Sequence, residues 1–231
     1  MVPKELGGFE KKNQINFKNK DLLKQAFVHR SYLNEHRNFP LPHNERLEFL
    51  GDAVLELAIT DFLYHKYKDK AEGDLTAYRA ALVNTNSLAE AGEEISINDY
   101  LLLSRGEAKD TGRARQYILA NAFEALIGAL YLDRGYDAAR DFIAHTLFER
   151  TEKIVAERLW QDAKSKFQEQ AQEVESTTPS YRVIEERGPD HDKYFRVGVF
   201  LGDKKIAEGE GKSKQEGEQD AALNGLKTRG W

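Results

Sequence analysis

The stretch His43-Asn44-Glu45-Arg46-Leu47-Glu48-Phe49-Leu50-Gly51-Asp52-Ala53-Val54-Leu55 decides how the rest of the chain is read. Pro40 and Pro42 interrupt what precedes it, and Asn44 is of the residue type that caps a helix start. Leu47, Leu50, Ala53/Val54, Leu57/Ala58 and Phe62 then recur with helical period, so a helix is expected from about residue 44 to residue 65. Glu48 and Asp52 are four apart and share one face, with Glu45 in the same neighbourhood. Like charges one turn apart repel. Either they are solvated carboxylates favoured by the positive end of the helix, or they are oxygen ligands for a hard cation such as Mg²⁺.

A second apolar stretch, Ile118 to Leu132, bears on that choice. It is interrupted by Asn121 and Glu124, one turn apart on one helix face. Their neighbours Ile118, Leu119, Phe123, Leu126, Ile127 and Leu130 are apolar. Glu124 either lies on a wet edge of this helix or is paired or metal-bound, because burying an unpaired carboxylate is costly. Together with Glu48 and Asp52 it makes a cluster from two helices, able to hold Mg²⁺ that polarises a phosphoryl oxygen and activates a water. Neither a P-loop nor zinc-type histidine spacing is present.

Composition narrows the field. The chain has 231 residues, 40% hydrophobic and 32% charged, which suits one large or two small water-soluble domains. It contains no cysteine, which excludes disulfides, thiolate metal sites and a cysteine nucleophile. Residues 1 to 20 are polar and basic without an apolar signal core, and no apolar run reaches membrane-spanning length, so a cytoplasmic address without membrane association is expected. The net charge of −5 offers no global attraction to nucleic acid; such binding must come from local basic patches or from metal ions.

Along the chain, residues 1–16 read as a frayed N-terminal arm. Asp21 to Tyr32 is amphipathic, and Asn34 to Pro42 is a loop. After the central helix come helices over residues 75–84 and 87–92, then a short apolar segment, 97–103. Residues 104–115, with Gly106, Gly112 and charges of both signs, read as a mobile loop. The apolar helix follows, and after Gly135 a long amphipathic helix over residues 137–157. These elements make an all-α domain over residues 17–157. Beyond a linker at 158–161 the period changes. Residues 162–174 form a helix with Asp162 as cap. An alternating segment starts at Pro179, and Phe195, Val197, Val199 and Leu201 alternate strictly as a half-buried strand. Gly202-Asp203 is a hairpin turn leading to a return strand over residues 204–208. Ser213 to Glu216 is a capping box opening a helix through Leu226. The order α-β-β-β-α over residues 162–231 is a small α+β domain with two helices on one sheet face.

In this second domain Gln168, His191, Lys193, Lys212 and Lys214 are candidates to converge on a phosphate backbone. The two lysines at 212 and 214 flank a helix N-terminus, whose free N–H groups attract anions. Each lysine taken alone is equally a solvated side chain, and Glu210, Glu216 and Glu218 dilute the local charge.

HNERLEFLGDAVL at 43–55 resembles the signature of the ribonuclease III family, endonucleases that cut double-stranded RNA. HRSYLNE at 29–35, EGDLTAYRAALVN at 72–84, LSRGEAKDTGR at 103–113 and ILANAFEALIGALYLD at 118–133 are similar to segments of the same nuclease domain. GPDHDKYF at 188–195 and GEGKSKQEGEQDAA at 209–222 resemble a double-stranded-RNA-binding domain. The resemblance implies an all-helical nuclease domain that forms a symmetric homodimer, with one cleavage site per subunit in a shared valley. It implies hydrolysis dependent on Mg²⁺, or Mn²⁺ in its place, giving 5′-phosphate and 3′-hydroxyl ends in the processing of ribosomal and messenger RNA. The family's acidic positions fall on Glu48, Asp52, Asn121 and Glu124 as metal ligands, with Asp52 and Glu124 catalytic. Phe49 takes the dimer contact, and Glu72 lines the valley near the partner's site. Two departures stand out. The family pattern usually has Asp at position 121, where Asn keeps an oxygen but loses a charge. Gln215 stands where such RNA-binding domains often have a second Lys, which removes a phosphate contact and lowers affinity. The alternative to a nuclease is therefore a duplex-RNA binder whose cleavage is impaired at Asn121.

Overall fold

The computed structural model describes residues 5–156, 163–189 and 193–231, and the chain divides into two compact units, residues 1–160 and 161–231. The first is helical: α1 (Leu6–Lys12), α2 (Lys20–Ala26), α3 (Arg30–Glu35), α4 (Glu45–Lys66), α5 (Glu72–Val83), α6 (Thr85–Glu94), α7 (Arg113–Arg134), α8 (Tyr136–Ile143) and α9 (Glu149–Ala156). The second runs α10 (Ala163–Glu175), β1 (Pro179–Arg187), β2 (Tyr194–Leu201), β3 (Lys204–Gly211) and α11 (Lys214–Arg229), with an antiparallel sheet in the order β1-β2-β3. The fold class expected from the sequence is thus the fold observed. No helix among the described residues is long and apolar enough to cross a membrane.

The helical unit is organised by the crossing of α4 and α7. A Cβ on Gly51 would stand 1.8 Å from the carbonyl oxygen of Glu124, and one on Gly128 would stand 2.1 Å from that of Leu47. Only glycine lets the two backbones touch there. Leu47, Val54, Leu55, Ala58 and Ile59 of α4 and Ile118 through Leu130 of α7 bury their apolar faces into one core around this contact.

Several local expectations are corrected. The described part of the expected arm, residues 5–16, is not frayed: α1 forms within it and buries Phe9 completely. Glu10 ties the following turn down by accepting from the Phe17 amide (2.8 Å) and from Lys20 Nζ (2.6 Å). The apolar Phe9 and Phe17, too sparse to show a period, anchor this segment. Asn44 does not cap α4 with its side chain; its Nδ2 donates instead to the Ala26 carbonyl (3.0 Å). The helix over residues 137–157 is divided by a π-helical segment, Ala144–Phe148, in which Thr146 Oγ1 donates back to the Phe142 carbonyl (2.9 Å). Helix α7 starts at Arg113, three residues before the expected start. The expected linker at 158–161 and the Asp162 cap lie outside the described residues.

In the second unit, Phe167 of α10, Val199 and Leu201 of β2, and Ala221, Ala222 and Leu226 of α11 form a separate core. Gly202 has φ +58° at the first central position of the β2–β3 hairpin, as a Gly-first turn requires. Ser213 Oγ accepts from the Glu216 amide (3.1 Å) at the start of α11, and Glu216 accepts from the Lys212 amide (2.9 Å).

Candidate nuclease site and RNA-binding surface

The α4–α7 crossing sets the candidate site. Glu48 lies three residues before Gly51, and Glu124 lies four before Gly128, so both carboxylates flank the point where the backbones touch. Asp52 is exposed beside them, while Glu48, Asn121 and Glu124 are half-buried. Burial pushes the Glu124 carboxyl up to about 8, with Asp52 and Glu48 raising it further. Glu48 is raised as well, by burial first and then by Glu45 and Asp52. Glu124 of α7 thus lies within Coulombic reach of Glu48 and Asp52 of α4.

Among the described residues, none of Glu48, Asp52, Asn121 or Glu124 makes a side-chain hydrogen bond or ion pair. By chemistry, carboxylates within Coulombic reach of one another and without a protein cation are oxygen donors of the kind a hard divalent ion takes. The set is open. No group of three or more His, Asp or Glu side chains among the described residues closes around a metal position. Glu72 is not drawn into this cluster within the protomer: it sits exposed in the first turn of α5 and accepts from Thr76 Oγ1 (3.0 Å).

The loop over residues 104–115, expected to be mobile, is tied down. Ser104 N donates to Ser31 Oγ (3.1 Å), and Glu107 N donates to Ser104 Oγ (3.3 Å). Arg115 donates to the carbonyls of Glu107 (2.7 Å) and Asp110 (3.1 Å). The segment 26–31 holds both halves of the site. The amide of Asn44, at the start of α4, donates to the Val28 carbonyl (2.9 Å). His29 N donates to the Leu102 carbonyl (3.1 Å), and Leu102 N donates to that of Phe27 (2.8 Å), upstream of α7. His29 Nδ1 lies 2.8 Å from Ser31 Oγ, and burial lowers the His29 pKa. Arg30 and His43 approach Glu45 at 3.6 and 3.7 Å. Sequence reasoning gave Arg30 and His43 no role; both lie in the quoted motifs, and while His43 and Glu45 are two positions apart, the Arg30–Glu45 pair joins segments fifteen residues apart that no local spacing encodes.

Phe49 is 82% exposed, and Leu57 (58%) and Tyr64 (68%) are exposed on the same helix. Their spacing of eight and seven residues puts them in one stripe on α4.

In the second unit Gln168 is exposed on α10, and Lys212 and Lys214 are exposed at the N-terminal end of α11. Lys193 pairs with Glu186 at 2.7 Å. His191 lies outside the described residues.

Comparison with known proteins decides the family. The Ribonuclease-III-like family matches residues 19–151, and the double-stranded RNA binding motif matches residues 163–228. The chain belongs to the ribonuclease III family. By that membership it is an endoribonuclease for double-stranded RNA, with a duplex-RNA-binding domain as its second unit. It is 47% identical over 213 residues to Ribonuclease 3 of Oceanobacillus iheyensis, covering 92% of each chain. It is 44% identical over 226 residues to Ribonuclease 3 of Carboxydothermus hydrogenoformans, covering 98% of this chain and 96% of that one. Among solved structures, the nuclease domain of ribonuclease III from Campylobacter jejuni is 37% identical with a TM-score of 0.57, covering 64% of this chain and 96% of that domain. A second structure of that domain, at 38% identity and a TM-score of 0.55, covers 62% of this chain and 98% of that one, and describes structural flexibility in its dimer-forming region.

Proposed function

We propose that this ribonuclease III cuts duplex RNA by metal-dependent hydrolysis at Glu48, Asp52, Asn121 and Glu124, leaving 5′-phosphate and 3′-hydroxyl ends. The observation that carries the proposal is the gathering of three unpaired carboxylates at the α4–α7 crossing. Mg²⁺, or Mn²⁺ in its place, would supply a Lewis acid for the scissile phosphate and an activated water there. Asp52 and Glu124 are the catalytic pair, and Glu48 and the Asn121 amide oxygen add ligands. Without a cation, Glu124 holds a proton at neutral pH because its carboxyl titrates near 8. It releases that proton on binding the ion, as any ligating carboxylate must.

The enzyme works as a homodimer, with the apolar stripe of Phe49, Leu57 and Tyr64 as its isologous contact. An exposed phenylalanine beside the acidic cluster puts the contact next to the chemistry, and Glu72 then faces the partner's half of the valley. Gln168, His191, Lys193, Lys212 and Lys214 hold the duplex through phosphates and 2′-hydroxyls, because the deep A-form groove hides the bases. The substrates are structured ribosomal and messenger RNA precursors in the cytoplasm.

The test is cleavage of a long, perfectly paired RNA with Mg²⁺. Wild type should cut, and Glu124→Gln should cut slower by on the order of 10²–10³-fold, the scale of losing one preorganised charge-stabilising group, while still binding RNA. Phe49→Ala should shift the dimer toward monomer in sedimentation by about tenfold or more, the scale of a buried aromatic contact. A second reading is favoured by the neutral side chain at Asn121: a duplex binder with impaired cleavage. Cleavage by Asn121→Asp but not by wild type would establish it.

A further inference from the structure

We propose that the cavity between α3 and the start of α7 is a nucleotide-binding site, which takes a planar base against Tyr32 and His36 and its phosphate at Arg105 and Arg115. It uses none of the residues of the acidic cluster, and its occupant is a second ligand beside the scissile duplex.

The cavity measures about 730 Å³, within the roughly 300–1,000 Å³ of small-molecule sites. Three features set the chemistry of its occupant. The first is an aromatic wall. The rings of Tyr32 and His36 stack with centroids 3.9 Å apart and planes 13° from parallel, and both line the cavity. Phe39 meets Tyr32 edge-on at 5.2 Å, and His36 Nδ1 donates to the Tyr32 carbonyl (3.0 Å), so the pair is held in place. Tyr32 is buried and His36 is exposed, so the stack ends on a ring that solvent reaches. Every nucleobase has a π-face able to extend such a stack. The second feature is an apolar lining, to which Leu101 and Leu103 contribute.

The third is cationic. Arg115 donates from Nη2 to the Glu107 carbonyl (2.7 Å), from Nε to the Asp110 carbonyl (3.1 Å) and from Nη1 to Asn98 Oδ1 (3.3 Å). All three acceptors are neutral, so these bonds leave its charge uncancelled. They also leave two of its five N–H donors unused among the described residues. Arg105 is exposed at the rim, and its backbone amide is fixed by the Glu35 carboxylate (3.2 and 3.3 Å). Among the lining residues Glu35 is the one carboxylate against these two arginines. That balance favours an anion, and guanidinium N–H forks match phosphate oxygens. An aliphatic anion would leave the ring stack unused, and a neutral aromatic would leave the guanidinium groups unused. A nucleotide uses both.

Base and phosphate can come from a free mononucleotide or from an unpaired nucleotide of a bound RNA; a base stacked within a duplex has no free face to offer. Arg115 precedes Glu124 by nine residues, about two and a half turns of α7, which puts the two on opposite sides of that helix. A nucleotide held at Arg115 is therefore not the one being cut.

The experiment uses the full-length protein in a chelator. Isothermal titration calorimetry measures binding of adenosine 5′-monophosphate, adenosine and inorganic phosphate to wild type, His36→Ala, His36→Phe and Arg105→Gln. The monophosphate should bind wild type with a Kd below about 1 mM, and adenosine and phosphate each at least tenfold more weakly. His36→Ala should weaken the monophosphate at least fivefold, the scale of one lost base stack, and His36→Phe, which keeps a ring, should restore it. Arg105→Gln should remove most of the advantage of the monophosphate over adenosine. Far-UV circular dichroism and melting check that each variant is folded; Arg105, being exposed, can be changed without disturbing the core. A second arm compares an RNA duplex carrying 2-aminopurine as a single unpaired bulge with one carrying it fully paired. A fluorescence change of the bulge alone, lost in His36→Ala, assigns the cavity to an unpaired RNA nucleotide. Binding of the monophosphate without that change assigns it to a free nucleotide. The proposal is overturned if neither ligand responds, or if wild type, His36→Ala and Arg105→Gln respond alike. The mononucleotide arm involves no cleavable bond, so its outcome is independent of the metal-site assignment.

Discussion

The two units of this chain present opposite kinds of polar surface. In the helical unit, the candidate groups are carboxylates flanking the place where two backbones touch, Glu48 and Glu124 half-buried and Asp52 exposed, without protein cations among the described residues. In the second unit the candidate groups are the exposed Lys212 and Lys214 at the start of α11, mixed with acidic neighbours. The first arrangement is under electrostatic tension, which raises the Glu124 carboxyl and which a proton or an outside cation relieves. The second is relaxed, its exposed lysines facing solvent. The comparison teaches where specificity of chemistry and breadth of binding come from: the former from a crossing that tolerates no atom more, the latter from a surface that tolerates many changes.

The comparison breaks most sharply at the crossing. Gly51→Ala places a methyl group where a carbonyl oxygen stands 1.8 Å away, so α4 and α7 must separate. The expected cost is about 3 kcal/mol or more, at the upper end of overpacking penalties, with loss of cleavage. Thermal melting should show the helical unit's transition lowered and that of the second unit unmoved. Equal shifts in both would show that the units do not unfold independently.

A smaller effect is expected from pH. The Glu124 carboxyl sits near 8 in the metal-free fold, above its ordinary value, so the native state binds a proton that the unfolded chain has already released. Its contribution is fully present below the ordinary carboxylate range and is lost as pH rises toward 8 and beyond. In a chelator, Glu124→Gln should therefore melt higher than wild type at pH 8.5, by about 2 °C, and the difference should vanish at pH 4. Divalent-ion affinity of wild type should rise over the same window, as calorimetry would show, because ligation needs the ionised carboxylate. A flat profile between pH 6 and 8 would place Glu124 outside the ligand set.

The mildest change is expected on the lysine surface. Lys214→Ala should weaken duplex binding a few-fold and reduce the dependence of log affinity on log salt by about one unit, with the cleavage rate at saturating RNA unchanged. A change in that rate instead would mean that Lys214 acts on the scissile step.

Much of this was legible because the signals were local. The period of α4, the alternation of Phe195 to Leu201, the turn at Gly202 and the Ser213 cap each follow from residues a few positions apart, and each is present in the structure. The order of residues 5–16 and of the loop before α7 is not legible in the sequence, for the opposite reason. Phe9 and the turn at Phe17 are held by Glu10, Lys20 and the helical core, and the loop before α7 by Ser31 and Arg115. Asn44 looked like a cap but bonds to Ala26, because the tertiary partner competes better than the helix's own N–H groups.

By itself the sequence determined the residue types of the site, the order of elements in both units and the family they belong to, because period, turn chemistry and motif are written in neighbouring positions. The tertiary structure alone decided that Glu48 and Asp52 come within Coulombic reach of Glu124, that Glu72 is exposed and bonded to Thr76 instead, and that Phe49 stands bare on α4. Those facts depend on Gly51 and Gly128 letting two helices touch, a contact between residues 77 positions apart in the chain.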